Sequence, residues 1–179
     1  MFTTERLLIR AWDEDEADVM LDIYRRLEVA QWLGAVPAPL ETLAEASERI
    51  VRWNGLIEGP YGIWALCPMA GGPPVGTVLL RRMPDGQGTV TTDVEVGWHL
   101  HPDAWGRGYA TEAAAACLPR AWGHGDKRVW AVVREGNARS IAVTQRLGMR
   151  PHGVVDRWYG LPLLAFSVDA PLRSGGPAA

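Results

Sequence analysis

Two glycines on either side of an arginine, Gly106-Arg107-Gly108, have a spacing that suggests a binding function. They stand just before a run of strong helix formers, 110–116. The first amides of that helix have no intrahelical acceptor, and here they open beside two residues without side chains. The positive end of the helix dipole also favours negative charge. The turn therefore predicts a site for an anionic group.

The residues before this turn predict a strand with two different faces. The apolar residues of one face are Val94, Val96, Trp98 and Leu100, and the residues of the other face are Asp93, Glu95, Gly97 and His99. This alternation has the period of two that is typical of a strand. Glu95 and His99 share a face but lie about 13 Å apart along an ideal strand. They are therefore not expected to act as a dyad.

Two other kinds of anion-binding turn fit these residues less well. A P-loop ends in Gly-Lys-Ser/Thr, whereas Gly108 is followed by Tyr109-Ala110. A dinucleotide-binding turn has a third glycine where this chain has Thr111, and it follows its strand directly, whereas residues 102–105 intervene here. Asp126 lies near the distance expected of a ribose-binding acid, so this interpretation stays open as the less favoured alternative.

Composition predicts one soluble domain over residues 1–172, followed by a flexible tail at 173–179. Hydrophobic residues make up 47% of the 179 residues, and the net charge of −3 does not suit a nucleic-acid-binding surface over the whole molecule. No apolar run reaches the roughly 18 residues of a membrane span. The two cysteines, Cys67 and Cys117, lack metal-ligand spacing, so we expect no metal and a reducing cytoplasm.

Periodicity and breakers predict the elements that hold the turn. Strands are predicted at 6–10, 61–67, 75–82, 93–100 and 128–133, with two more within 152–169. Helices are predicted from a capping pattern at Asp13 to near Gly34, with Leu27 on the buried face, and from a first turn that includes Glu41 to Trp53. Two more are predicted from 110 toward 121 and from the N-cap Asn137 to Leu147. Pro119 is expected to kink or end the third helix before Trp122.

Three motifs in the same order resemble the GNAT superfamily of acetyl-CoA-dependent N-acetyltransferases. They are Glu95-Val-Gly-Trp98 with Trp105-Gly-Arg-Gly-Tyr-Ala-Thr-Glu-Ala113, then Asn137-Ala-Arg-Ser140, then Leu147-Gly148-Met149. Arg6-Leu-Leu-Ile-Arg10 and Trp32-Leu33-Gly34 are similar to the branch with the ribosomal-protein N-terminal (alanine or serine) acetyltransferases. The resemblance implies an α/β (α+β) domain with a mixed, mostly antiparallel sheet of about six or seven strands flanked by about four helices.

The resemblance also implies where acetyl-CoA, the cosubstrate, would bind. In that family the strand holding Glu95 diverges from the strand holding Trp130, and the gap takes the pantetheine arm. The residues implied in cofactor binding are Trp98, Leu100, Gly106, Arg107, Gly108, Tyr109, Ala110, Thr111, Asn137 and Ser140. Arg107 either adds a charge-assisted bond or points to water. Trp105 stands where the family usually has Gln or Arg.

Acetyl transfer needs a neutral amine, a polarised carbonyl and a stabilised thiolate. The resemblance makes Glu95 the candidate base; the alternative is a strand acid paired with an arginine or bonded to a neighbouring strand. Ser140 is the candidate acid, because the family's tyrosine position four residues later holds Thr144; the other route is proton transfer to water. Asn137 has capping as its alternative role. For His99 a surface or capping role is favoured over catalysis.

Trp158 and Tyr159 are predicted to help form the acceptor side, because charged residues adjoin these aromatics. The resemblance implies direct acetyl transfer to the primary amine of a protein N-terminus or of a small molecule such as an antibiotic, polyamine or amino acid. A non-catalytic acyl-CoA-binding or sensing domain is the alternative. We expect no nucleic-acid or membrane partner, and self-association into a homodimer stays open.

Overall fold

An eight-stranded sheet organises the computed structural model, which describes residues 1–34 and 36–172. The strands are β1 (Phe2–Thr3), β2 (Leu7–Arg10), β3 (Gly62–Pro68), β4 (Gly76–Pro84), β5 (Val90–Leu100), β6 (Arg128–Val133), β7 (Arg150–Val155) and β8 (Leu163–Asp169). Their spatial order is β1-β2-β3-β4-β5-β6-β8-β7, and among these described strands only β5 and β6 pair in parallel. The tail predicted at 173–179 lies outside the described residues.

The described residues form five α-helices, which are α1 (Ala17–Tyr24), α2 (Leu27–Ala30), α3 (Leu43–Asn54), α4 (Tyr109–His124) and α5 (Ala138–Arg146). The mixed, mostly antiparallel α/β fold is as predicted, with one more strand and one more helix. The extra strand is β1, whose two residues are too short to leave a periodic pattern.

The extra helix arises because the helix predicted from Asp13 to near Gly34 is broken. α1 ends at Tyr24, Arg26 takes an extended conformation, and α2 then begins at Leu27. Leu27 was expected on the buried face of α1, but its side chain is 58% exposed. The change of direction buries Val29 and Ala30 instead, so tertiary packing overrides the helical spacing.

Local capping explains two of the helix starts. The Thr42 hydroxyl accepts a hydrogen bond from the Glu45 amide at 3.2 Å, and the Glu45 carboxylate accepts from the Thr42 amide, which is a capping box. At α5 the Asn137 side chain accepts from the Ser140 amide at 3.1 Å, as the N-cap prediction requires.

Pro119 was expected to kink or end α4, and of these two outcomes the early end is wrong. The helix continues through Pro119 to His124 and ends at Gly125, which has a φ of 105°. Leu118 and Ala121, on either side of the proline, are both buried in the hydrophobic core. We infer that this burial outweighs the backbone hydrogen bond that proline cannot donate.

The two faces of the sheet carry separate hydrophobic clusters. On one face Val94 and Val96 of β5 pack with Ala113 and Cys117 of α4. The other face belongs to α1 and α3, where Tyr24 and Ile50 are buried. Because side chains alternate along a strand, Glu95 and His99 point to this second face.

A gap opens in the sheet beside Glu95. β5 and β6 pair only at Val94 with Val129 and at Glu95 with Trp130, although β5 continues to Leu100. β4 stays paired with β5 as far as Leu100. The strands β5 and β6 therefore diverge beyond Glu95, as the resemblance implied.

Candidate active site

A cleft of about 520 Å³ lies against β5, the glycine turn, and the beginnings of α4 and α5. This volume is within the range of small-molecule sites. All the residues that the resemblance implied in cofactor binding, except Arg107, line the cleft: Trp98, Leu100, Gly106, Gly108, Tyr109, Ala110, Thr111, Asn137 and Ser140.

The glycine turn has the geometry of an anion site. Gly106 and Gly108 have φ values of 75° and 81°, in the left-handed region where a side chain would strain the backbone. The helical hydrogen bonds begin with the Glu112 amide, which donates to the Gly108 carbonyl at 3.0 Å. The preceding amides of the first turn have no intrahelical acceptor, so they are available to an anion in the cleft.

Arg6 and Glu112 hold this turn from outside the cleft. Arg6 Nη1 donates to the Arg107 carbonyl at 2.9 Å, and Arg6 Nε donates to Glu112 Oε2 at 2.7 Å. Partial burial opposes ionisation of Glu112, but hydrogen bonds from Thr4 and Arg6 outweigh it and lower its pKa. Sequence reasoning did not identify this support, because the partners are 106 residues apart.

The side chain of Arg107 points away from the cleft. It is exposed and lines a separate depression with Asp22, His101 and Asp103. Of the two roles considered for the Arg107 side chain, this position agrees with the solvent-facing one, whereas cofactor binding through the Arg107 amide stays a prediction. The geometric reason is that the two flanking glycines turn the chain sharply on either side of it.

Two other arginines, which sequence reasoning missed, line the cleft from α5. They are Arg139 and Arg146, seven residues apart and therefore on one side of the helix. The Arg139 guanidinium stacks 4.3 Å from the ring of Trp105. The Trp105 indole nitrogen donates to the Leu100 carbonyl at 2.9 Å. Trp105, in the position where the family usually has Gln or Arg, thus forms part of the cleft wall and holds the Arg139 guanidinium against its ring.

The hydroxyls of α5 differ in their surroundings. Ser140 lines the cleft, next to the N-cap Asn137. Thr144 is fully buried, and its hydroxyl donates to the Ile141 carbonyl at 2.8 Å. Of these two positions, only Ser140 can present a hydroxyl to a molecule in the cleft.

Glu95 is buried where β5 and β6 begin to diverge, and it does not line the cleft itself. Its side chain is 8% exposed, and the Tyr159 hydroxyl donates a hydrogen bond to Oε2. Arg81 stands opposite Glu95 on β4. Burial raises the pKa of Glu95 to about 7, although the bond from Tyr159 and the charge of Arg81 both oppose the shift. A carboxyl with this pKa can gain and lose a proton near neutral pH.

His99 is half-buried in the cleft wall beside Tyr24, so the favoured surface or capping role is not the one observed. It lines the cleft, and its Nδ1 lies 3.3 Å from the Tyr24 hydroxyl, which donates to Thr77 at 2.9 Å. Burial, followed by the charge of Arg49, lowers the pKa of His99 to about 4. The imidazole is therefore neutral at physiological pH.

The predicted acceptor pair, Trp158 and Tyr159, is divided between two environments. Trp158 is 1% exposed and packs with Met83 and Trp130, while its indole nitrogen donates to Asp93 at 3.1 Å. The prediction that Trp158 helps form the acceptor side is wrong. Its charged neighbours in the sequence suggested an exposed position, but the side chain lies in the core. Tyr159 instead reaches Glu95.

Within residues 1–34 and 36–172, no group of three or more His, Cys, Asp and Glu side chains is placed to hold a metal ion. Nor does any helix there combine the length and the apolar character needed to span a bilayer.

The profile of the acetyltransferase (GNAT) domain family matches residues 6–150 of this chain. N-acetyltransferase p20 of Bacillus licheniformis is 24% identical over 154 residues, which are 85% of this chain and 83% of p20. Residues 6–150, which the family profile matches, contain the glycine turn, Glu95 and α5.

Solved structures of acetyltransferases share the fold. The GNAT-family acetyltransferase from Bacillus anthracis superposes with a TM-score of 0.75 at 19% identity, over 93% of this chain and 96% of that one. RimL, the ribosomal L7/L12 alpha-N-protein acetyltransferase, in complex with coenzyme A, superposes with a TM-score of 0.72 at 16% identity, covering 93% and 95%. At such identities the likeness establishes the fold alone.

Proposed function

The chain belongs to the GNAT acetyltransferase family, and on that premise we propose that it moves acetyl from acetyl-CoA directly to a primary amine. The amine belongs to a protein N-terminus or to a small molecule. One observation carries the proposal: the cleft runs from an anion-binding helix N-terminus to the part of β5 that β6 leaves unpaired, and Glu95 lies on the same strand where the pairing ends.

The cleft suits the phosphate-bearing part of acetyl-CoA. The amides of the glycine turn and of the first turn of α4 would take the pyrophosphate, since backbone donors and the helix dipole both favour negative charge. Arg139 and Arg146 add positive charge to the opposite wall. The edge of β5 at Trp98 and Leu100, which β6 leaves unpaired, offers backbone groups to the pantetheine amides.

Glu95 would act as the general base, directly or through one water. With its pKa raised by burial to about 7, Glu95 has an ionised form available near neutral pH, and this form can remove a proton from the attacking amine. The amine nitrogen bonds to the acetyl carbon as the carbon–sulfur bond breaks. The departing thiolate receives a proton from the Ser140 hydroxyl, which regains one from water, or from water directly.

The proposal specifies the reacting group of the acceptor, a primary amine, and not one acceptor molecule. RimL acts on a ribosomal protein N-terminus and shares this fold, which supports a protein N-terminus as one acceptor. The acidic net charge of −3 agrees with a basic acceptor of either kind.

Release of free thiol from acetyl-CoA, measured with a panel of peptides and small amines, tests the proposal. We expect release to accelerate when a suitable amine is present, and mass spectrometry should find one acetyl group on that amine. Acetyl-CoA that binds without acceleration by any amine would instead favour the acyl-CoA-sensing alternative. Failure of acetyl-CoA to bind at all would refute both.

A further inference from the structure

We propose that Tyr159 is a positioning residue, which fixes the Glu95 carboxylate and stabilises its ionised form, and that the segment 156–162 is built to hold the Tyr159 hydroxyl in place. This inference rests on the proposed role of Glu95 as the base. It gives Tyr159 a function other than the acceptor wall expected from the sequence.

The contact between the two side chains is direct and shielded from water. The Tyr159 hydroxyl donates to Glu95 Oε2, and Glu95 is 8% exposed. Burial, followed by the charge of Glu95, raises the pKa of Tyr159, so the phenol keeps its proton and remains a donor. A hydrogen bond from a neutral donor to a carboxylate is stronger than one between two neutral groups.

The backbone of Tyr159 is strained in a way that serves this contact. Among the described residues it is the one non-glycine residue with a positive φ, at 59°. Such a conformation costs on the order of 1 kcal/mol and persists when the surroundings impose it. Here the Tyr159 amide donates to the Pro84 carbonyl at 3.2 Å, which ties the residue to the turn between β4 and β5.

Close packing of two glycines leaves the segment little freedom to move. A Cβ atom added to Gly86 would lie 3.4 Å from the Cα of Gly160, the residue after Tyr159. A Cβ atom at either position would meet the other glycine at van der Waals distance, so the two backbones already lie side by side. The residue after Tyr159 is therefore packed directly against the β4–β5 turn.

Asp93 anchors the same segment from β5. Its Oδ2 accepts hydrogen bonds from Arg157 Nη2 at 2.9 Å and from the Trp158 indole at 3.1 Å. Asp93 precedes Glu95 by two residues, so one strand carries both the candidate base and the anchor of its hydrogen-bond donor. This shared strand fixes the spacing between the two.

Tyr159→Phe is the decisive variant, because it keeps the ring and removes only the donor. Loss of a donor to the ionised form should move the acidic limb of the kcat/KM profile to higher pH. A hydrogen bond to a charged group is worth roughly 1.5 kcal/mol or more, so the ionised fraction at pH 6 should fall about tenfold. Activity at pH 9 should approach that of the wild type.

Asp93→Asn tests the anchor, and Tyr61→Phe is the matched control. Asp93→Asn weakens the two bonds to the segment, so it should shift the profile in the same direction by less. The Tyr61 hydroxyl donates to Asp126 at 2.8 Å, away from Glu95, so its loss should leave the profile unmoved. An equal loss of activity at every pH in Tyr159→Phe would mean that Tyr159 has a structural role only.

A second readout separates this inference from the proposed function. Carboxyl-carbon NMR of wild type and Tyr159→Phe, with Glu95 assigned through Glu95→Gln, follows the titration without any acetyl transfer. A higher midpoint in Tyr159→Phe would support the role of Tyr159 in stabilising the ionised form even if no amine accepted acetyl. An unchanged midpoint would overturn the inference, whether or not the enzyme is active.

Discussion

Glu95 and His99 lie on the same face of the same strand, yet burial acts on them in opposite directions. It raises the pKa of Glu95 to about 7 and lowers that of His99 to about 4. Burial penalises the charged form, which is the deprotonated acid in one case and the protonated base in the other. Histidine usually titrates near neutral pH, but here His99 does not, and the carboxyl of Glu95 does.

The side chains next to Glu95 and His99 add to the difference in how readily the two groups exchange protons. Glu95 faces a hydrogen-bond donor, Tyr159, and a cation, Arg81, which limit the rise of its pKa. His99 faces the cation Arg49, which lowers its pKa further. Arg81 keeps the pKa of Glu95 near neutrality, so Glu95 can exchange protons. Arg49 moves the pKa of His99 further below neutrality, so His99 cannot.

Glu95→Gln should produce the largest loss of activity. If it did not, the contrast between a proton-exchanging Glu95 and an inert His99 would fail. Removing a general base typically costs roughly a hundredfold or more in rate. We expect kcat/KM at pH 8 to fall by about that factor, while the affinity for acetyl-CoA, measured by calorimetry, stays unchanged. If turnover were unaffected across the pH range, Glu95 would have no part in proton transfer.

The two groups should also give opposite slopes of stability against pH. A raised folded-state pKa means that the contribution of Glu95 is full below pH 4.5 and is lost as pH rises through about 7. A lowered folded-state pKa means that the contribution of His99 is full above pH 6.5 and is lost as pH falls through about 4.

Denaturant unfolding of wild type, Glu95→Gln and His99→Gln between pH 4 and pH 8 measures both slopes. Relative to Glu95→Gln, the wild type should lose on the order of 3 kcal/mol in unfolding free energy as pH rises. Relative to His99→Gln, it should lose stability as pH falls. Parallel slopes would show that burial is not what distinguishes the two groups.

His99→Gln should have the smallest effect on catalysis and sharpens the contrast. Because the imidazole is already neutral at pH 7, its removal should change kcat/KM by less than about threefold and should leave the shape of the pH profile unaltered. Disappearance of the acidic limb in this variant would assign the titration to His99 and not to Glu95.

Local patterns predicted most of the frame correctly. The strand at Arg128–Val133 and the cap at Asn137 follow from alternation and from a side chain that bonds an amide three residues away. The left-handed Gly106 and Gly108 follow from the same short-range logic. Where packing competed with local rules, the predictions were wrong, as at Leu27, Pro119 and Trp158.

The amino-acid sequence by itself determined the strand, the glycine turn and the helix start that form the cleft, because each depends on residues within a few positions of one another. Only the tertiary structure decided which groups surround the candidate base. Tyr159 is 64 residues from Glu95, and Tyr24 is 75 residues from His99. A pKa depends on burial and on such distant neighbours, so it follows from the order of the strands and not from any local pattern.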